Sequence, residues 1–352
     1  MTLDFDRLAR EKALPATFGK IAPASGRPTL VLLGGQPGAG KTRALDAIAR
    51  AHQDIAAVTG DDFRIHHPNF VELAKADPLG MPNTTSAVAS PLVRRCLDHA
   101  LGKRYDEAGQ LVDERGDQYS VLLEGVFSRP EMVLSTVEEF SAAGFDVHAY
   151  AMAVPEHLSR LSAEYRYLAA SSPYAARWTP PTAHDRAFST LPETAAALEQ
   201  SPLVSHIEVW TRTGPIHVGD RGPDAVGSDS AVDHVLAGRR AALDPEAWTE
   251  SYAALRRIAE QHQVPQLRGF APVPYLADAR VQIAWQQLDD QAEQLGEPQR
   301  ALPPALPNPR DLARASFPDP TPVLDGRTAE KNSRRTPPLQ AEYTSDQGID
   351  YS

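Results

Sequence analysis

Hydrophobic positions in this chain gather into short unbroken runs, separated by stretches with helical spacing. Leu30–Leu33, Ile55–Val58, Ser120–Gly125, Phe145–Val154 and Leu203–Trp210 have the length and content of strands. Unbroken apolar runs, unlike alternating ones, predict strands buried on both faces of a parallel sheet. Between the runs, apolar residues recur three and four apart. Ala44, Leu45 and Ile48 form one such series, and Leu92, Val93, Cys96, Leu97 and Leu101 form another. Further helices are predicted over Pro130–Ala143, Pro155–Leu168 and Thr182–Leu198. Thr213-Gly214-Pro215 reads as a turn into a partner strand, Ile216–Val218. Strands alternating with helices predict an α/β fold.

The polar stretches divide the chain. Residues 1–27 read as a short amphipathic helix and a loop, a surface lead-in. Residues 77–90 (DPLGMPNTTSAVAS) are rich in turn formers and predict a loop. Lys103–Gln118 predicts an exposed hairpin-like excursion around Glu107-Ala108-Gly109-Gln110. Gly219–Ser228, rich in Gly, Asp and Pro, marks a boundary. It separates a domain at 28–225 from a helical extension at 226–300. Residues 301–352, with prolines among polar residues, predict a disordered tail.

Composition narrows the class. The 352 residues are 42% hydrophobic, enough for a sizeable core. Net charge is −11, from 46 acidic and 35 basic residues, which argues against a nucleic-acid or anionic-membrane partner. A single cysteine, Cys96, leaves no internal disulfide and no cysteine-rich metal site. The first twenty residues lack the apolar core of a signal peptide, and no run approaches the ~18 apolar residues of a membrane span. The expectation is a soluble, cytoplasmic protein.

One stretch carries specific chemistry. Gly35-Gln36-Pro37-Gly38-Ala39-Gly40-Lys41-Thr42 fits G-x-x-x-x-G-K-[ST] at every fixed position. It follows the first predicted strand and opens the first helix, as a phosphate-binding loop requires. Its glycines let backbone N–H groups surround an anion. Lys41 would reach the β- and γ-phosphates, and Thr42 would hold Mg²⁺ through its hydroxyl. In a P-loop NTPase fold of this kind, with a mainly parallel sheet flanked by helices, functional groups collect at the carboxyl ends of the strands. Asp61 and Asp62 follow the second run and Glu124 closes the third, so these carboxylates are candidates for acceptor or Mg²⁺ chemistry. A helix cap is the structural alternative for the aspartates. Arg160, Arg166 and Arg177 are candidates for neutralising a transferring phosphoryl group, against the ordinary role of solvated surface charges.

The combined motifs resemble the zeta toxin family, the kinase components of bacterial toxin–antitoxin pairs. The matching segments are GGQPGAGKT (34–42), DDFRIHHPNF (61–70), LLEG (122–125), YAMAVP (150–155), YRY (165–167) and ARWTPPTAHD (176–185). The resemblance spans residues 28–220. It implies that Asp61 is the catalytic aspartate accepting the acceptor's hydroxyl proton. It implies that Arg166 and Arg177 bind and neutralise the triphosphate, and that Glu124 lies near the metal and substrate. Phe63 and His67, in the second segment, are further candidates for substrate contact.

The implied reaction moves a phosphoryl group from ATP or GTP, with Mg²⁺, to the 3′-hydroxyl of UDP-N-acetylglucosamine, whose product blocks cell-wall synthesis. A small antitoxin protein is the implied partner. Three positions depart from the family pattern: Pro91 stands where a glutamate contacting the sugar nucleotide is usual, Val126 stands where a threonine is common, and Phe127 replaces a small residue. The stretch between Arg166 and Arg177 is also slightly shorter. The departures bear on the acceptor, which leaves another nucleotide or small metabolite as an alternative. The alternative of a different class is a nucleotide-binding interaction module, its cleft covered by the helical extension.

Overall fold

The computed structural model describes residues 3–52, 54–77, 80–106, 109–113, 116–168, 178–220 and 230–240. In chain order the elements are α1 (Phe5–Leu8), α2 (Leu14–Phe18), β1 (Thr29–Gly34), α3 (Lys41–Ala51), β2 (Ile55–Thr59), α4 (Gly60–Phe63), α5 (Phe70–Ala76) and α6 (Met81–Ala100). There follow β3 (Arg104–Tyr105), β4 (Leu111–Asp113), β5 (Ser120–Gly125), α7 (Pro130–Ala142), β6 (Asp146–Met152), α8 (Glu156–Leu168), α9 (Pro181–Gln200), β7 (His206–Thr211), β8 (Gly214–Asp220) and α10 (Ala231–Arg240).

Six strands form one sheet in the order β2-β5-β1-β6-β7-β8, parallel except for the last pair. The central β1 is buried on both faces, as its unbroken apolar run predicts. From β1 the chain moves outward to β2 and back to β5 on one side, then crosses to β6 and β7 on the other. The reversal opens a crevice at the carboxyl edge, where such sheets place ligands. Register aligns that edge: Gly34 pairs with Gly125, and Thr59 with Glu124.

The two sheet faces build separate cores. Val31, Leu33 and Leu122 pack with Ala44 and Ile48 of α3. Leu30, Leu32, Val121 and Leu123 pack with Leu92, Val93, Cys96 and Leu97 of α6 and with Val137 and Phe140 of α7. The hairpin expected in Lys103–Gln118 is the two-stranded pair β3–β4.

Three expectations change. Residues 81–90 are the first half of α6, not a loop; the helix runs through Pro91. Met81, Thr85, Val88, Ala89, Leu92 and Val93 make a continuous buried stripe, and tertiary burial overrides the turn-forming composition. The N-terminal lead-in is not superficial: Ala9, Ala13 and Phe18 are buried in the α6-side core. Beyond the expected boundary at 225, α10 joins the same core through Ala231 and Val235, and Glu199 of α9 accepts from the Ala231 amide at 2.8 Å. The remainder of the helical extension and the whole Pro-rich tail lie outside the described residues. No described helix is long and apolar enough to cross a membrane.

Candidate active site

The phosphate loop runs from β1 into α3. Gly38 and Gly40 take left-handed backbone, with φ of 78° and 93°, which favours glycine. Space makes a second demand: a Cβ on Gly38 would stand 2.0 Å from the Ser159 carbonyl oxygen, and one on Gly35 would stand 2.7 Å from Met152 Cβ. Gln36, Pro37, Gly38 and Ala39 form a tight turn in which the Ala39 amide donates to the Gln36 carbonyl at 3.1 Å. Gln36 is fully buried and donates through Nε2 to the Val154 carbonyl at 3.0 Å.

Lys41 opens α3 and turns back over the loop. Its Nζ donates to the Gly35 carbonyl at 2.8 Å and stands 3.8 Å from Glu124 Oε1. Burial lowers the lysine's proton affinity; Glu124 pulls it up, Arg166 pushes it down, and Asp61 pulls it up again. Of these groups Glu124 makes the ion pair, while Arg166 and Asp61 act on the ammonium through their charges. Thr59 Oγ1 donates to Glu124 Oε2 at 3.4 Å, as their paired register allows.

Asp61 sits in α4, directly after β2, and Arg64 Nε donates to its Oδ1 at 2.8 Å. Arg64 in turn donates to Thr85 Oγ1 of α6 at 3.1 Å, which ties the carboxylate to that helix. Arg64 was not legible as a site residue; its spacing of three from Asp61 on a helical turn was the available signal. Phe63 is not in the cleft: it is 4% exposed and its ring belongs to the α6-side core. The helical turn that points Asp61 outward points Phe63 inward. His67 caps its own loop, its Nδ1 accepting from the Asn69 amide at 3.1 Å, and burial lowers its proton affinity.

Arg166 lies on α8, and its charge acts on Lys41. Arg177 lies outside the described residues. Arg160 is engaged elsewhere, paired with Glu156 at 2.6 Å and with Asp185. Behind the loop, Ser159 Oγ accepts from Gln36 Nε2 at 3.3 Å and lies 2.9 Å from His184 Nε2. The serine hydroxyl also lies 2.9 Å from the Glu156 carbonyl of its own helix, and His184 Nδ1 lies 3.7 Å from Asp185 Oδ1. Burial, then the charge of Arg160, lowers His184 to about 4, against an opposing pull from Asp185. His184 and Asp185 close the segment TPPTAHD, and their clustering was the available signal.

Oxygen donors suit Mg²⁺. Thr42 in the first turn of α3 and the Glu124 carboxylate carry oxygen donors of the kind Mg²⁺ takes, and among the described residues no group of three or more His, Cys, Asp or Glu is arranged to hold a metal.

Sheet order, glycine-rich loop and rim together define a P-loop α/β protein. The sequence profile of the family described as "Zeta toxin" matches residues 15–222, and the chain belongs to that family. Toxin zeta of Enterococcus hirae is 33% identical over 199 residues, 56% of this chain and 64% of that protein, so the match spans less than two thirds of that relative. Toxin PezT of Streptococcus pneumoniae is 25% identical over 241 residues, 68% of this chain and 89% of that protein. A solved structure from the PezAT chromosomal toxin–antitoxin system of Streptococcus pneumoniae has the same fold. Its TM-score is 0.58 at 19% identity, covering 74% of this chain and 97% of that one.

Proposed function

We propose that this protein is a small-molecule kinase that transfers the γ-phosphoryl group of ATP or GTP to a hydroxyl of a UDP-amino sugar, with the UDP-N-acetylglucosamine 3′-hydroxyl preferred. The observation that carries the reading is the Asp61–Arg64 pair beside Lys41 and Glu124 at the end of the phosphate loop. A loop alone binds a triphosphate; a carboxylate held at its open end supplies what a transferase needs in addition.

In this reading the loop amides and Lys41 hold the β- and γ-phosphates. Asp61 orients the acceptor hydroxyl and takes its proton as the new oxygen–phosphorus bond forms. The bond from the γ-phosphorus to the bridging oxygen breaks, and the nucleoside diphosphate leaves with those electrons. Arg64 keeps the Asp61 carboxylate aimed. Arg166, with Arg177 as its expected partner, offsets charge spreading over the transferring group. Bound Mg²⁺, held through Thr42 and Glu124, would supply further neutralisation between the phosphates. The setting is the cytoplasm, and the partner is a small antitoxin protein of the kind named with the PezAT structure.

One observation favours a different acceptor within the same chemistry. Phe127, the residue that departs from the family pattern, has left-handed backbone (φ 53°), and its carbonyl is held by Thr190 and Thr194 of α9 at 3.1 and 3.0 Å. Phe127 is buried in the α6-side core, so its bulk would act on the acceptor side by holding the backbone after Gly125 rather than by lining the cleft. The test incubates purified protein and Mg-ATP with sugar nucleotides, nucleosides and dinucleotides, and follows ADP and product by mass. A phosphorylated UDP-amino sugar is expected. Product from another acceptor alone would move the assignment, and nucleotide binding with no product from any acceptor would favour the interaction module.

A further inference from the structure

Ser159, Ser162 and Arg166 share one face of α8, at spacings of three and four. Ser159 touches the phosphate loop through Gln36, Ser162 meets it through Arg212, and the charge of Arg166 acts on Lys41. Ser162 donates its hydrogen to the Leu158 carbonyl at 2.6 Å, so its oxygen accepts from Arg212 Nη2 at 2.5 Å. The second hydrogen of that nitrogen goes to the Gly38 carbonyl at 2.6 Å. Arg212 follows β7, and its stem crosses the loop, with Cγ 3.4 Å from where a Cβ on Gly40 would stand. Arg43, next after Thr42, donates to the Arg212 carbonyl at 3.3 Å. One turn earlier on α8, Ser159 makes the other bridge, to Gln36 and His184.

We propose that Arg212 is a positioning residue for phosphoryl transfer: through Gly38 and Ser162 it fastens the phosphate loop to α8, so that the loop with donor bound sets where Arg166 stands. The inference rests on the kinase reading of this site. The linkage is short and stiff. Four residues of helix separate Ser162 from Arg166, about 6 Å along the axis, with no loop to absorb a displacement. An arginine fits the role because its planar fork serves two acceptors at fixed angles, where a lysine offers a point charge. Burial, with the charge of Arg43 second, lowers Arg212 to about 9.

The test compares the full-length protein with Arg212→Gln, Ser162→Ala, Arg166→Ala and the Arg212→Gln/Arg166→Ala pair. Arg212→Gln should lower kcat by about 10²-fold, the scale of a misplaced catalytic group, while the Kd for Mg-ATP changes by much less. Ser162→Ala should move kcat in the same direction by a smaller factor. Losing Arg166 should cost far less when Arg212 is already replaced, because both act through one linkage. A raised donor KM with unchanged kcat, or full additivity of the two arginines, would overturn the proposal. A second readout needs no turnover. Saturating Mg-ATP should slow amide exchange over residues 159–166 in the wild type and not in Arg212→Gln; equal protection in both would also overturn it. Wild-type protein that shows this protection but phosphorylates no acceptor would sink the kinase reading and leave the linkage standing.

Discussion

Arg64 helps to aim Asp61: its Nε donates to the carboxylate at 2.8 Å, and Arg64 is itself anchored on Thr85. Replacing the base and replacing its holder should therefore differ in kind. Asp61→Asn removes the proton acceptor and should lower kcat by about 10²–10⁴-fold with little change in Mg-ATP affinity, read by product formation and equilibrium titration. Transfer at the wild-type rate would show that another group takes the proton. Arg64→Ala leaves the acceptor in place but loosens it, and a smaller loss of kcat is expected. Gly38→Ala is a sharper test of the loop. Left-handed backbone and a Cβ 2.0 Å from the Ser159 carbonyl oppose it together, so nucleotide binding should be lost. The loop, Lys41, Asp61 and Glu124 were legible because their signals are local in sequence. Arg212 and His184 were not: the first meets Gly38 across 174 residues, the second meets Ser159 across 25. No pattern along the chain encodes such meetings before the sheet order brings them together.

Most elements followed from hydrophobic spacing alone. The strands β1, β2, β5, β6 and β7 appear where unbroken apolar runs predicted them, and the helices between them follow the three-and-four spacing. The failure at α6 is informative, because Pro82, Asn83, Thr84 and Thr85 have turn-forming composition yet Thr85 is fully buried in a helix. Its hydroxyl donates to the Met81 carbonyl at 2.7 Å and so accepts from Arg64. A residue that looked like loop material serves the Asp61 anchor instead. The connection from β5 to α7 depends on another local fit. The Phe127 ring packs on Gly34 so closely that a Cβ there would fall 2.1 Å from it. Gly34→Ala must displace the ring or the strand, an overpacking cost of about 3 kcal/mol. A fall in Tm of several degrees is expected by calorimetry. An unchanged Tm would mean that the Phe127 loop yields freely, and the argument for a fixed acceptor rim would weaken with it.

At the scale of the molecule, the network behind the phosphate loop makes stability depend on pH with a definite sign. His184 is held neutral by burial and by Arg160, with Lys41 adding a smaller push in the same direction and Asp185 opposing. The unfolded chain binds this proton at the ordinary histidine value of 6.5, the folded chain at about 4. Between those values the unfolded state carries more protons, so stability rises with pH there. The contribution is present in full above 6.5 and is lost as pH falls toward 4. His148, half-buried beside His206 and His52 and partly offset by Asp146, acts in the same direction. His184→Gln separates the two histidines. A glutamine amide can still donate to Ser159 but cannot titrate, so the variant is expected to lose less stability between pH 7.5 and 5 than the wild type does. Urea midpoints at the two pH values measure it. Equal losses would mean that His184 is protonated in the folded protein. The bridge from Gln36 through Ser159 to His184 would then have to be redrawn with a cation at its end.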